Sequence, residues 1–147
     1  MHLTTRPTRI LLWTMQALLA ALFLFAGAAK LAMPIEVLEA QAKMSGEFLV
    51  FIAIAEVVGA LGLILPSALR IQPGLTPLAA AGLTVIMIGA VATSAAMAGA
   101  SAALFPAAVG FATAFVAYAR WRVTATEATP RAWAGQTALW RSRRISA

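Results

Sequence analysis

The fold of this chain is decided by residues 75–119, whose sequence is LTPLAAAGLTVIMIGAVATSAAMAGASAALFPAAVGFATAFVAYA. These forty-five residues contain no Asp, Glu, Lys, Arg or His. A helix needs about 20 apolar residues to cross a hydrocarbon core of roughly 30 Å. Forty-five residues are too many for one crossing and sufficient for two, so the stretch predicts two transmembrane helices. Gly99-Ala100-Ser101 is its most loop-like part and predicts the turn between them.

The composition of the whole chain is also typical of a membrane protein. Hydrophobic residues make up 62% of the 147 residues and charged residues 11%, which is unlike a soluble domain. Two further apolar segments bring the predicted spans to four, and these lie at about residues 10–32, 48–65, 77–98 and 102–119. The sequence therefore predicts an all-α, polytopic four-helix bundle over residues 1–120 and a basic tail over residues 121–147.

The connections between the predicted spans carry local signals. Residues 34–46 have apolar side chains at helical spacing, with Glu39 and Lys43 four residues apart. This pattern predicts a short interfacial helix with an ion pair between those two side chains, and an irregular loop is the alternative. Pro66 is expected to end the second span, and Thr76 is expected to cap the third.

The basic tail combines aromatic and cationic side chains. Thr129-Pro130 predicts the start of another helix, and tryptophans with arginines on an amphipathic helix favour contact with anionic lipid headgroups. A disordered basic tail is the alternative. The residues expected at the membrane surface are Trp121, Trp133, Trp140, Arg141, Arg143 and Arg144.

The distribution of the cations predicts the orientation. The chain has 11 Lys and Arg residues and a net charge of +6. Nine of them, all arginines, lie in the two tails and in the loop at Arg70, whereas Lys30 and Lys43 follow the first span. By the positive-inside rule, both termini should face the cytoplasm. This placement favours the lipid bilayer as partner and argues against nucleic acid.

The residues that most often carry redox chemistry are missing from the predicted spans. The chain has no cysteine, and its single histidine is His2. Disulfides, thiolate catalysis and cysteine-bound metals are therefore excluded, and haem or iron–sulfur clusters have no obvious ligands. We predict no catalytic residue and no metal site, and the composition favours a protein that is not itself an enzyme.

Glu56 lies in the middle of the second predicted span. An acidic residue there raises the insertion free energy by roughly 2.5–3.5 kcal/mol, so its side chain should be protonated, paired or in contact with water. Lys30 is the candidate partner. Glu56 lies about 12 Å from the start of its span at Phe48, and Lys30 about 5 Å from the end of a first helix that reaches Met33. A lysine side chain can bridge most of that difference.

Three more polar residues belong to the predicted intramembrane cluster. Thr93 and Ser94 should lie about 6–8 Å from the outer end of the third helix, near Lys30 and Glu56. Gln16 shares a helical stripe with Lys30 and predicts either a helix contact or a ligand contact. Two alternatives stay open: Lys30 extends outward to surface glutamates, or a protonated Glu56 only bonds a neighbouring helix.

Small residues predict where the helices approach each other closely. Ala55 and Gly59 form a pair of small residues four apart beside Glu56. The expected packing positions are Gly27, Gly59, Gly62 and Gly89.

The chain resembles the DoxX-like family of small four-helix bacterial membrane proteins. The resemblance is carried by residues 21–34 (ALFLFAGAAKLAMP), 54–66 (IAEVVGALGLILP) and 75–94 (LTPLAAAGLTVIMIGAVATS). It implies a multi-pass protein of the bacterial cytoplasmic membrane. It also implies a link to respiratory and sulfur redox systems, because some relatives are named as quinol-oxidase or thiosulfate-oxidation subunits. Many relatives carry a histidine where this chain has Ser94, so a role that depends on that histidine does not transfer.

The resemblance and the polar residues together favour an accessory subunit of a quinone-linked redox complex. Its intramembrane pocket would surround Glu56 and Lys30 and would take a quinone or a lipid. Other redox subunits, or a second copy of the chain, would be its partners. The alternative is a small carrier or proton-coupled transporter that uses Glu56 as the exchanging group. A quinone-using enzyme acting alone is a third hypothesis, which the missing redox ligands disfavour.

Overall fold

The computed structural model describes the backbone of residues 6–69 and 74–145, and the side chains of residues 10–69 and 74–122. The described chain forms five helices: α1 (Arg6–Ala32), α2 (Ile35–Ala42), α3 (Gly46–Leu69), α4 (Leu75–Ala98) and α5 (Ala100–Ile145). Four segments are long and apolar enough to cross a membrane, namely Ile10–Ala32, Gly46–Leu69, Leu75–Ala98 and Ala100–Arg122. The predicted all-α polytopic bundle is therefore confirmed.

The four long helices pack in chain order around one apolar core. α1 packs on α3, α3 on α4 and α4 on α5, while a smaller contact between α5 and α1 closes the bundle. Phe23, Leu63, Leu83 and Val116 meet in the core. Large apolar side chains also cover the outside, and Phe111 is 78% exposed. Such an apolar exterior is what a bundle surrounded by lipid requires, since lipid tails do not exclude apolar side chains.

The predicted short helix after the first span is confirmed as α2, but its ion pair is wrong. Lys43 lies beyond the helix end in the left-handed region, with φ 51, so its side chain no longer follows the helical spacing. Glu39 instead accepts a hydrogen bond from the Gly46 N–H through Oε1 at 2.6 Å. This bond ties α2 to the first residue of α3. Contact of α2 with the membrane surface stays a prediction.

Two local predictions at the α3–α4 connection are also wrong. Pro66 lies inside α3, which continues to Leu69. The proline removes one helical hydrogen bond. Because it lies in the last turn of α3, few further helical hydrogen bonds are affected. Thr76 does not cap α4, because the residue before the helix is Gly74 and it makes no side-chain capping bond. The Thr76 hydroxyl instead shares a hydrogen bond of 2.9 Å with Ser67, which joins the two helix ends.

The turn between the last two spans is shorter than the predicted tripeptide. α4 ends at Ala98 and α5 begins at Ala100, so only Gly99 separates them. Its φ of 86 is a left-handed conformation that favours glycine. α5 then passes through Thr129-Pro130 without interruption. The separate helix predicted to start there is instead the continuation of the last span.

Candidate functional site

The Lys30–Glu56 pair joins α1 to α3 inside the bundle. The Lys30 Nζ lies 2.5 Å from the Glu56 Oε1. The Glu56 side chain is 2% exposed, while the Lys30 side chain is 34% exposed. The structure thus shows the predicted contact, and Lys30 does not extend to a surface glutamate.

The second carboxylate oxygen of Glu56 is an exception to the usual pairing of buried polar atoms. Oε2 is buried and has no hydrogen-bond partner among the described residues. Buried polar atoms are nearly always hydrogen-bonded, and an unsatisfied one is destabilising. The ammonium group has three donors, and one of them goes to Oε1. The pair therefore offers one free buried acceptor beside further N–H donors.

A close crossing of α1 and α3 brings the two charged side chains together. At Gly27, a Cβ atom would lie 2.8 Å from the Ala53 carbonyl oxygen, 2.8 Å from Val57 Cγ2 and 3.3 Å from Glu56 Cβ. Only glycine allows the backbones this approach. Gly27 is one helical turn from Lys30, so the same crossing fixes the position of the lysine opposite Glu56.

The other packing glycines differ among themselves. A Cβ at Gly59 would lie 2.7 Å from Leu83 Cδ2, and one at Gly62 would lie 2.8 Å from Ala79 Cβ. Both positions therefore lie at the contact between α3 and α4. At Gly89 a Cβ would meet nothing within 4 Å, and this glycine is exposed. Gly89 faces away from the other helices, so the structure does not support the packing position expected there.

The hydroxyl residues of α4 are not joined to the pair by any hydrogen bond in the described structure. The Thr93 hydroxyl lies within hydrogen-bond distance of the carbonyls of its own helix at Gly89 and Ala90, 3.0 and 3.1 Å away. Ser94 is half-buried and lies next along the same helix. A side chain satisfied by its own backbone has no need of Lys30 or Glu56.

Gln16 belongs to a different cluster, at the opposite end of α1. Its side chain is completely buried, and its Nε2 donates to the Leu63 carbonyl at 2.8 Å. Its Oε1 accepts from Arg120 Nε at 2.9 Å, and also from Nη2. The Arg120 guanidinium lies over the Trp13 ring, 5.7 Å from its centre. Gln16 thus connects three helices, about 21 Å along α1 from Lys30.

Sequence reasoning missed Arg120 because an arginine at the end of a span is usually a flanking anchor. The contact between Arg120 and Gln16 could have been inferred from the similar depth of the two residues in the membrane. Gln16 and Arg120 lie near the same end of antiparallel segments, and the arginine side chain is long enough to bridge the remaining distance. The predicted surface residue Trp121 is 67% exposed. The side chains of the other five, from Trp133 to Arg144, lie outside the described residues.

Two grooves open on the outside of the bundle, away from the pair. One of about 300 Å³ lies between α4 and α5, where Thr84, Gly110 and Phe111 are part of its lining. Another of about 260 Å³ lies between α1 and α3, along Ala20 and Leu61. Neither is lined by Lys30 or Glu56. The Glu56 side chain is 2% exposed, so the carboxylate is enclosed in this conformation, and Lys30 is the more exposed member of the pair.

The described residues contain no group of three or more His, Cys, Asp or Glu side chains that could hold a metal ion.

No curated protein and no solved structure gives a significant match to the chain. The model of the DoxX-like family matches residues 14–117. This match covers all four spans almost completely and more than half of the chain, so the protein belongs to the DoxX-like family.

Proposed function

We propose that this DoxX-like membrane protein is a non-catalytic accessory subunit of a quinone-linked redox complex, and that it binds its lipid-soluble ligand at Lys30 and Glu56. The proposal places it in a bacterial cytoplasmic membrane with both termini in the cytoplasm. The observation that supports it is the buried carboxylate with one unpartnered oxygen. Ionisable residues inside a membrane bundle are expensive and usually mark a functional site.

The chemistry of the pair suits the head group of a quinone. The Lys30 ammonium can donate a hydrogen bond to a ring oxygen of either redox form, while Glu56 Oε2 can accept one from a hydroxyl of the reduced form. The surrounding apolar helices suit an isoprenoid chain, since large apolar side chains line the outside of the bundle. The family resemblance to subunits of respiratory and sulfur-oxidising systems supports the redox context. Electron transfer itself would belong to a partner subunit.

The experiment is gentle detergent extraction from native membranes, followed by mass spectrometry of the proteins, lipids and quinones that co-purify. Wild-type protein should bring down a membrane redox subunit together with a quinone. Glu56→Gln should lose the quinone, because the amide removes the charged acceptor. Glu47→Gln is the matched control, since Glu47 is an exposed glutamate on the same helix. Absence of both quinone and redox partner from intact wild-type protein would contradict the proposal.

A proton-exchanging carrier is the second candidate function. It is favoured by the same unpartnered Oε2, which is an atom where a proton could reside. Such a protein reconstituted in liposomes should move protons or a solute, and Glu56→Gln should abolish that flux while Glu47→Gln retains it. Flux that depends on Glu56, without a co-purifying redox subunit, would favour the carrier over the accessory subunit.

A further inference from the structure

We infer that the Lys30–Glu56 pair recognises a hydroxyl group, so that the reduced quinol form of the ligand binds more tightly than the oxidised quinone. This inference rests on the proposed function, because it specifies the chemical form of the ligand at the same site. It follows from the hydrogen-bonding capacity that the pair leaves unused. Binding of either form at this site involves no electron transfer.

Glu56 offers a ligand only a hydrogen-bond acceptor. A carboxylate paired with an ammonium is an acceptor only, with no proton of its own to donate. Its Oε1 already accepts from Lys30 at 2.5 Å, whereas Oε2 is buried without a partner. A ligand group that approaches Oε2 must therefore donate a hydrogen. A quinol has two O–H donors, while the oxidised ring has only carbonyl acceptors, which would face the carboxylate oxygen unfavourably.

Lys30 offers a ligand only hydrogen-bond donors. One of its three N–H donors goes to Oε1, and the others can donate to an oxygen of the ligand. A hydroxyl group fits both neighbours at once, because its hydrogen is donated to Glu56 and its oxygen accepts from Lys30. A carbonyl oxygen can use Lys30 but leaves the Glu56 acceptor unsatisfied. The pair therefore distinguishes the two redox forms by one hydrogen bond to Glu56, which the quinol makes and the quinone does not.

The two members of the pair differ in their access to a ligand. Oε2 is enclosed in this conformation, but the Lys30 side chain is 34% exposed, so a ligand reaches the pair along the lysine. The terminal torsion of a glutamate is broad and roughly two-fold. A half-turn about it only exchanges the two carboxylate oxygens, so it leaves one of them paired with Lys30 and the other enclosed. Access to the unpartnered acceptor therefore requires a displacement of the Lys30 side chain, which is the exposed member of the pair.

The test measures dissociation constants for the full-length protein in detergent under anaerobic conditions. The probes are decylubiquinol, decylubiquinone and the dimethyl ether of the quinol, which keeps the ring but has no O–H donor. We expect the quinol to bind at least about tenfold more tightly than the other two, a difference of about 1.4 kcal/mol. Glu56→Gln should weaken binding of the quinol and so remove this preference, since the charged acceptor for the quinol O–H is gone. Glu47→Gln should retain it.

The outcomes separate the inference from the proposed function. Equal affinity for all three probes, or an undiminished preference in a folded Glu56→Gln variant, overturns the inference while ligand binding stands. Binding of none of them to folded wild-type protein overturns the proposed ligand as well. The dimethyl ether needs no variant, so the comparison on wild-type protein decides the question even if Glu56→Gln does not fold.

Discussion

Replacement of Lys30 by methionine is expected to destabilise the bundle by about 2–3 kcal/mol. Removal of one partner from a buried ion pair typically costs about 3–5 kcal/mol, because the other charge is left buried and uncompensated. Here Glu56 is 2% exposed but the Lys30 side chain is 34% exposed. The partial exposure of Lys30 weakens the ion pair, so we expect the loss of unfolding free energy to lie below the lower end of that range. Methionine keeps much of the lysine stem and therefore preserves the packing.

The same substitution should cost below about 1 kcal/mol when Glu56 is already glutamine, since a neutral amide needs no cation beside it. The two effects are then coupled by about 2 kcal/mol, within the range for contacting residues. For a protein of this size 1 kcal/mol corresponds to roughly 2–4 °C in melting temperature. The non-additivity should therefore amount to about 4–8 °C.

The assay is a double-mutant cycle on purified protein, with unfolding followed in one detergent for the wild type, both single variants and the double variant. Lys43→Met is the matched control, because Lys43 is exposed and makes no ion pair in the described structure. It should change stability little in either background. Strictly additive effects of Lys30→Met and Glu56→Gln would refute the reasoning, because they would mean that the two charges do not interact.

Four further predictions follow from other parts of the molecule. Gly27→Ala should destabilise the protein by about 1–3 kcal/mol, because the new methyl group would overlap a backbone carbonyl; Gly89→Ala, with open space around it, should be neutral or stabilising in the same melting assay. Gln16→Leu should lower the unfolding free energy by about 1–2 kcal/mol, since Arg120 loses the acceptor of two N–H groups, and an unchanged melting temperature would contradict this. Reporter fusions at the C-terminus should be active on the cytoplasmic side and fusions within α2 on the opposite side; an external C-terminus would contradict the four-span topology. A peptide of residues 128–147 should gain helicity on anionic vesicles and lose it at high salt, whereas absence of helicity at every lipid composition would contradict membrane binding.

The Lys30–Glu56 contact was predictable because charges inside the spans are so few. A single acid in the second span and a single cation near the end of the first leave few pairings, and the fixed rise of a helix decides whether they can meet. Gln16 has more possible hydrogen-bond partners, because hydroxyl and amide side chains can bond many groups. Its bond to Arg120 depends on how α1 is rotated against α5, which the apolar pattern does not determine.

The rotation of α4 was not predictable for a related reason. This helix is apolar on all sides, so its sequence does not distinguish the face that contacts other helices from the face that contacts lipid. In the sequence Gly89 is therefore equivalent to Gly59, although in the structure Gly59 contacts Leu83 and Gly89 faces outward. Likewise, nothing in the sequence indicates that the Thr93 hydroxyl is satisfied within its own helix. Sequence fixes the number of such helices more readily than their orientation about their own axes.

The buried acid of α3 also bears on how the protein enters the membrane. Glu56 raises the insertion free energy of the segment that carries it, yet that segment, Gly46–Leu69, has the highest mean hydropathy of the four. The favourable insertion free energy of its apolar residues can therefore offset the cost of the charge when the segment enters the membrane during synthesis. Lys30 precedes Glu56 by 26 residues, so the cation is already in the bilayer when the acid arrives. We expect α1 and α3 to form the first stable hairpin, on which α4 and α5 then assemble.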